Sequence, residues 1–435
     1  MDEDSLSRSE TAVLSAIHAG GQVTRAQAAS AVGLSMAMTA RVVTRLHAQG
    51  LVREAGRGVV NGPGRQARLL EIDPRAAYVV ALDIGTDVVH ILLADLHGTA
   101  IAYQEASSTL FSGRTQAEII IILVELARQA PRGAGLKFSM VAAAGVAVTG
   151  IIDSDQGECI LRSNTPGWEN FLIAEALGGA LGVPVLLEET ARAKSLAERR
   201  LGAARPDACP LGSYLYVDAG AAIGASLVIE GRPFHGVRGL AGELGHVTVE
   251  PGGAMCRCGN RGCLQATSSA RAVLAQAKDL LKRGVYSSLT GKEDTLTLAD
   301  LAAAADQGDK LALGVLTEAG ERLGIAIAMA LNLLGVDLVV MGGVLVRGGP
   351  VVLEAARRVV RLRVLPLVPQ ARTLAPAMLG SDAAALGVAI QAIDWLFESP
   401  NQRLLRGVAS REGKTTLIQG SREDSLAELA GAVRA

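Results

Sequence analysis

Apolar and polar positions follow two different rhythms along the chain, and the change falls near residue 76. Before it the period is helical, with Val13, Leu14 and Ile17 sharing one face of residues 10–19. After Gly20 and Gly21, Thr24 can cap a second helix, TRAQAASAVGL, that ends at Gly33. Ser35 can cap a third, SMAMTARVVTRLHAQG, which stops at Gly50. Two strand-like segments follow, LVREAGRG and GRQARLLEID. From Tyr78 onward, apolar runs bounded by glycine turns take over, as in YVVALDIGTDVVHILLADLHG and VDAGAAIGASLVIEG, the signature of buried strands. The most membrane-like stretch, Leu323 to Val346, contains Asn332, Asp337 and a glycine pair. That pattern predicts a helix followed by a buried strand rather than a bilayer span. Beyond Pro400 the chain is polar, charged and poor in core residues, so a mobile tail with one short helix near residues 425–433 is expected.

Two short helices joined at Gly33 and followed by two strands read as a winged helix-turn-helix. Charge supports the reading. Between Gly20 and Leu70 stand seven arginines (Arg25, Arg41, Arg45, Arg53, Arg57, Arg65 and Arg68) against one acid, Glu54, although the whole chain has a net charge of -1. A basic field confined to one segment is the footprint of phosphate binding; the bland alternative is a solvated face with no partner. Arg41 and Arg45 are four residues apart and share a face of the third helix. Ser35 and Met36 begin that helix, and neither Met36 nor Met38 can read a base edge by hydrogen bond. Direct readout is therefore expected from Thr39 and Arg41, with Arg57, Arg65 or Arg68 reaching a neighbouring groove from the wing and Arg25 adding charge. One such module buries too little for strong specificity, so a dimer or tetramer on paired half-sites is expected.

The chain has 435 residues, 49% of them hydrophobic, with 50 glycines and 3% aromatics, which suits an Ala/Val/Leu-packed α/β protein. Its start, MDEDSLSRSE, is acidic and polar, unlike a secretory signal. Five cysteines in no disulfide framework point to a reducing cytoplasm. Three of them, Cys256, Cys258 and Cys263, follow His246 with the spacing H-x9-C-x-C-x4-C. One imidazole and three thiolates are a ligand set for one closed, tetrahedral, structural zinc per chain. Glu243 lies three residues before His246. Zinc can take one nitrogen of that ring and leave the other for a second partner; a purely structural zinc knot is the competing reading. Cys159 and Cys209 remain as buried thiols.

GELGH followed by CRCGNRGCLQ resembles the signature of the ROK family, which joins bacterial sugar kinases to sugar-responsive repressors. The family pattern is roughly GE-[IL]-GH and then C-x-CG-x-x-GCLE, with Gln265 here in place of the last glutamate. GLSMAMTARVV, GLVREAG and GRQARLLEID are similar to the N-terminal segment of ROK regulators. The resemblance spans about Arg8 to Trp395. It implies a winged helix-turn-helix over residues 1–75, a two-lobed actin-like body over residues 76–398, and a tail over residues 399–435.

The resemblance also bears on chemistry. The family's catalytic segment reads approximately PV-x-VENDANAAALAE, in which the aspartate takes the proton of the attacking sugar hydroxyl. Aligned on Pro184-Val185 and Leu196-Ala197-Glu198, that aspartate falls on Thr190 and the preceding asparagine on Glu189. A threonine hydroxyl is far too weak a base for the task. The DIG turn continues as Thr86-Asp87-Val88 instead of Gly-Thr-Lys, and Ala222 and Ser226 replace glycines in the second phosphate-like turn. The Gly342-Gly343 pair is kept, yet it can serve simply to close a strand. The resemblance implies sugar contacts by Glu243, His246 and residue 265, and RSNTPGWENF, around Asn164 and Trp168, is similar to a pocket-side loop. The expectation is thus a DNA-binding repressor without catalytic residues. Its body senses a carbohydrate or sugar phosphate through Asn164, Glu189, Glu243, His246 and Gln265. The alternatives are an active sugar kinase carrying a winged helix, and a DNA-binding protein whose body serves only for dimerisation.

Overall fold

In the computed structural model, which describes residues 6–57, 67–162, 167–336, 338–366 and 373–412, the chain divides into two units. One comprises Met1–Gly150, Gln156–Glu188 and Val388–Ala435, the other Ile151–Asp155 and Glu189–Gly387.

The first unit begins with α1 (Arg8–Gly20), whose N-terminus carries a reciprocal box between Ser7 and Glu10. Thr24, at the end of β1 (Val23–Thr24), makes the same device with Gln27 for α2 (Arg25–Val32). The left-handed Gly33 closes α2, and Ser35 caps α3 (Met36–Ala48) through the Met38 N–H. Val13, Leu14 and Ile17 of α1 and Val42, Val43 and Leu46 of α3 form the core between these helices. The strands β2 (Val52–Arg57) and β3 (Arg68–Ile72) pair antiparallel as a wing. β1 pairs with β3, giving the order β1-β3-β2 and a third strand that the hydrophobic pattern was too short to reveal.

A five-stranded sheet follows, built from β4 (Tyr78–Ile84), β5 (Val88–Asp95), β6 (Ala100–Ser107), β7 (Val141–Val148) and β8 (Val185–Glu189), in the order β8-β7-β4-β5-β6. Every residue of β4 is buried. Its antiparallel partner β5 turns back through the DIG segment, and its parallel partner is β7. The amphipathic α4 (Gln116–Gly133) and α5 (Ile173–Leu181) bury one face each.

The second unit repeats this scheme. After α6 (Thr190–Leu201), the strands β9 (Tyr214–Ala219), β10 (Ile223–Ile229), β11 (Arg232–Pro233), β12 (Leu338–Gly342) and β13 (Thr373–Pro376) form a sheet in the order β11-β10-β9-β12-β13. Again a hairpin, β9–β10, has a parallel strand on its other side. The helices are α7 (Leu264–Ser268), α8 (Ala270–Lys282), α9 (Leu298–Asp306), α10 (Lys310–Leu334), α11 (Val344–Arg347) and α12 (Pro350–Arg363). The stretch suggestive of a membrane span is the end of α10, its left-handed cap Gly335 and the buried β12. No helix among the described residues is long and apolar enough to cross a membrane.

The last elements among the described residues are α13 (Ala383–Leu396) and α14 (Arg403–Glu412). Over residues 403–412 the expectation of a mobile tail needs correction. Leu405 and Val408 of α14 are buried, and the last turn of α13 together with the segment after it grips α1. His18 Nε2 lies 2.8 Å from Asp394 Oδ1, and its ring stacks on Phe397 at 4.0 Å. Gln402 donates to Ser15 Oγ at 2.7 Å and to the carbonyls of Phe397 and Thr11. A few well-placed polar groups and two apolar anchors suffice to hold a segment whose composition looks unstructured. The expected helix near residues 425–433 lies outside the described residues.

Candidate functional site

The exposed side of α3 begins with Ser35, whose side chain accepts from Met38 N–H, and Met36, which is 54% exposed. Thr39 is fully buried between the helices, so the expectation that it reads bases is corrected: its position faces the core side with Val42, Val43 and Leu46. The charge count also overstated the free field, because acids just outside the counted window fold back onto it. Arg45 pairs with Glu10 at 3.3 Å, Arg53 with Glu71 at 2.8 Å, and Arg25 and Arg68 share Glu54 at 3.5 and 2.6 Å. The Glu54 pairs are exposed on both sides and weak enough for phosphates to compete with them, whereas the Glu10 and Glu71 carboxylates are buried. Among the described residues, Arg41 is exposed and has no acidic partner. Arg65 and the side chain of Arg57 lie outside the described residues.

Residues 243–263 form a second site. His246, Cys256, Cys258 and Cys263 bring their ligand atoms within 4.8 Å of one another. Cys256 Sγ is 3.7 Å from His246 Nδ1, and Cys258 Sγ is 3.7 Å from Cys263 Sγ. Ligands held at about 2.3 Å from a tetrahedral zinc stand roughly 3.7 Å apart, so the donor set and its spacing fit that ion. The loop is drawn tight at Gly262, whose left-handed backbone would put a Cβ 1.7 Å from the Glu250 carbonyl oxygen. Burial pushes the Cys263 thiol up to about 12, while the Asn260 backbone N–H, and then Cys256, lower Cys258 to about 7. A bound cation must displace protons from such thiols, so uptake weakens as pH falls. His246 turns Nδ1 to the cysteines and Nε2 to Glu243 Oε2, at 3.8 Å. Desolvation raises the Glu243 carboxyl, against the opposing pull of His246 and Arg192.

The other residues singled out in the second unit gather on β10. Gln265 accepts the Ile223 N–H at 3.2 Å through Oε1, which leaves its amide NH2 for a ligand. A Cβ at Gly242 would lie 2.2 Å from the Ala225 carbonyl oxygen, so the GELGH loop lies directly against the same strand. Glu189 caps α6, its Oε2 accepting from Ala191 N at 2.7 Å and Arg192 N at 3.1 Å. Thr190 is the first residue of that helix and is buried. Asn164 lies outside the described residues. Trp168 is fully buried, edge-on to Phe111 and Phe171, and supports its loop from within.

Both phosphate-like turns are engaged by the protein itself. Gly85 N donates to Val88 O, while Arg162 donates to the Gly85 and Ile84 carbonyls at 2.6 and 3.2 Å and stacks over Trp168. Asp218, at the end of β9, is paired with Lys194 at 2.6 Å. The Gly342-Gly343 pair has a packing reason: Cβ atoms there would meet Tyr216 Oη at 2.3 Å and the Ala219 backbone at 2.4 Å. Arg162 and the Lys194–Asp218 pair were missed from sequence. An arginine directly after the apolar Cys159-Ile160-Leu161 was the one available signal, whereas the pair joins residues 24 apart that share no local pattern.

These elements define a class. The ROK family model matches residues 79–394, and the chain belongs to the ROK family. The xylose repressor of Bacillus subtilis is 29% identical over 376 residues, covering 86% of this chain and 91% of the repressor. A crystal structure of a ROK family transcriptional regulator, a homologue of the E. coli MLC protein, superposes with TM-score 0.75 at 24% identity over 93% of this chain and 98% of that one. That of a ROK hexokinase from Thermus thermophilus has TM-score 0.58 at 31% identity, over 72% of this chain and 97% of that one. A winged helix ahead of a ROK body is the arrangement of the family's transcriptional regulators, not of its free-standing kinases.

Proposed function

We propose that the protein is a DNA-binding repressor, working as a dimer or tetramer on paired half-sites, whose ROK body senses a carbohydrate or sugar phosphate without phosphorylating it. The observation that carries the reading is the conjunction of a winged helix presenting Arg41 with a body whose general-base position is Thr190. Residues 1–75 contact operator DNA through Ser35, Met36, Arg41 and Arg45 on α3, and through Arg25, Arg57, Arg65 and Arg68. His246, Cys256, Cys258 and Cys263 hold one zinc ion. A closed four-ligand site leaves no position for substrate, so its contribution is to fix the GELGH loop. With Nδ1 toward the metal, His246 presents Nε2 beside Glu243, and the raised Glu243 carboxyl and the Gln265 amide offer hydrogen-bonding groups to sugar hydroxyls. Effector binding then favours one arrangement of the body and, through it, one spacing of paired winged helices.

Anisotropy titrations of the full-length protein on duplex DNA across a salt series test this, with and without a panel of monosaccharides and their phosphates. Arg41→Ala should weaken binding to all sequences and reduce the salt slope by about 1. Glu243→Ala should abolish the effector response and leave DNA affinity without effector nearly intact. Sugar-dependent ATP turnover at the roughly 1–100 s⁻¹ usual for kinases would favour the active-kinase alternative.

A further inference from the structure

The exposed residues of α3 form two adjacent rows, Met36-Ala40-Thr44 and Ala37-Arg41-Arg45, followed in the last turn by His47 and Ala48. This face is nearly devoid of groups that read base edges by hydrogen bond. It carries no Asn, Gln or carboxylate, the residues that recognise adenine and cytosine in the major groove. Ser35 Oγ is engaged by the Met38 N–H, and Thr44 donates its hydroxyl back to the Ala40 carbonyl at 2.9 Å. Arg45 is held by Glu10, Thr39 is buried, and the exposed His47 stands in the last turn, away from the N-terminal residues of a recognition helix that contact base edges. What remains is apolar: the Met36 side chain and the methyls of Ala37 and Ala40, with Arg41 beside them.

A recognition helix in the major groove meets one strongly apolar feature there, the C5-methyl group of thymine. Resting on the DNA-binding reading above, we propose that α3 recognises its operator chiefly through thymine methyl groups packed against Met36, Ala37 and Ala40. Arg41, beside them, supplies a phosphate contact that seats the helix. The small alanines let the helix lie close to the base edges, and the flexible methionine fills the space between neighbouring methyls. Half-sites should accordingly carry thymine steps on either strand.

Selection of duplexes from a randomised pool by the full-length protein gives the preferred site, after which single thymines are replaced by deoxyuridine, which removes only the methyl. Each contacted methyl should be worth about fourfold in affinity, the value of one buried methylene-sized group. In Met36→Ala the penalty at the thymine beneath that side chain should disappear, while Met36→Leu should retain it. Both changes lie on an exposed position, and circular dichroism verifies that the helix persists. Specific binding that tolerates uracil at every thymine overturns the proposal, as does an equal uracil penalty in wild type and Met36→Ala. Absence of salt-dependent binding to any duplex instead overturns the DNA-binding reading beneath it, and the proposal falls with it.

Discussion

Replacing Thr39 by valine should stabilise the winged helix and leave DNA recognition unchanged. Thr39 is fully buried and its Oγ1 has no hydrogen-bond partner, although its backbone N–H makes the ordinary helical bond to Ser35 at 2.9 Å. A hydroxyl removed from water without compensation costs about 1–3 kcal/mol. Valine has nearly the same shape and helix propensity, so it removes the penalty without opening a cavity. Discounting for small shifts of the surrounding side chains leaves about 1–2 kcal/mol. Amide hydrogen exchange on the intact protein measures this locally, where a whole-chain melt of two units would not. The α3 amides should exchange about 5–30 times more slowly in the variant, with unchanged affinity for the selected operator. Faster exchange would mean that the hydroxyl has a partner. Lost specificity with intact folding would return Thr39 to the DNA face and refute the packing argued for this helix.

Two other outcomes follow from the second unit. The gently purified protein should contain one zinc per chain by metal analysis, and Cys256→Ser with Cys258→Ser should lose it and melt earlier; a metal-free wild type would refute the site. Asp309 caps α10: desolvation pushes its carboxyl up, but the N–H groups of Ala312 and Ser288 and the hydroxyls of Ser287 and Ser288 outweigh it and lower it to about 2. Its folded value lies below the unfolded value of about 3.9, so its contribution is present above the latter and lost as pH falls through the former. Asp309→Ala should therefore cost about 1 kcal/mol near neutrality, and the gap between variant and wild-type urea midpoints should close between about pH 4 and pH 2.

Local chemistry was legible in the sequence wherever a single residue type decides a backbone event. Thr24, Gly33 and Ser35 fixed the limits of α2 and α3 because caps act within one turn, and the four metal-site residues announced their convergence by spacing alone. Long-range pairings left no such trace. Thr39 was misjudged because a short polar side chain looks exposed until the packing angle of α1 on α3 is known. The arginine count erred because Glu10 and Glu71, which pair with Arg45 and Arg53, lie outside the counted residues 20–70. The grip of Gln402 and Phe397 on α1 joins positions 382 to 391 residues apart, and composition carries no information about such contacts.

If the body does not phosphorylate its ligand, as proposed above, the start of α6 shows why that loss would not be a single reversible substitution. Glu189 spends Oε2 on the first free amides of the helix, a favourable place for an anion. A carboxylate committed to capping is not free to collect a substrate proton, although it stands beside the position where the family's base falls. Thr190 follows it into the first helical turn and is buried. Arg192, where the family pattern has its second asparagine, is buried as well and holds the Gly239 and Ile152 carbonyls at 3.0 Å each. Lys194, two residues on, is tied to Asp218 in the strand leading to the second phosphate-like turn. Glu189, Arg192 and Lys194 thus hold groups of the second unit itself. Loss of a general base alone costs about 10²–10⁴ in rate. Putting aspartate at position 190 would return that group, but into a helix start whose neighbours now hold backbone rather than substrate. The same bracing suits a sensor, in which binding energy must be passed to a rigid body rather than spent on a transition state.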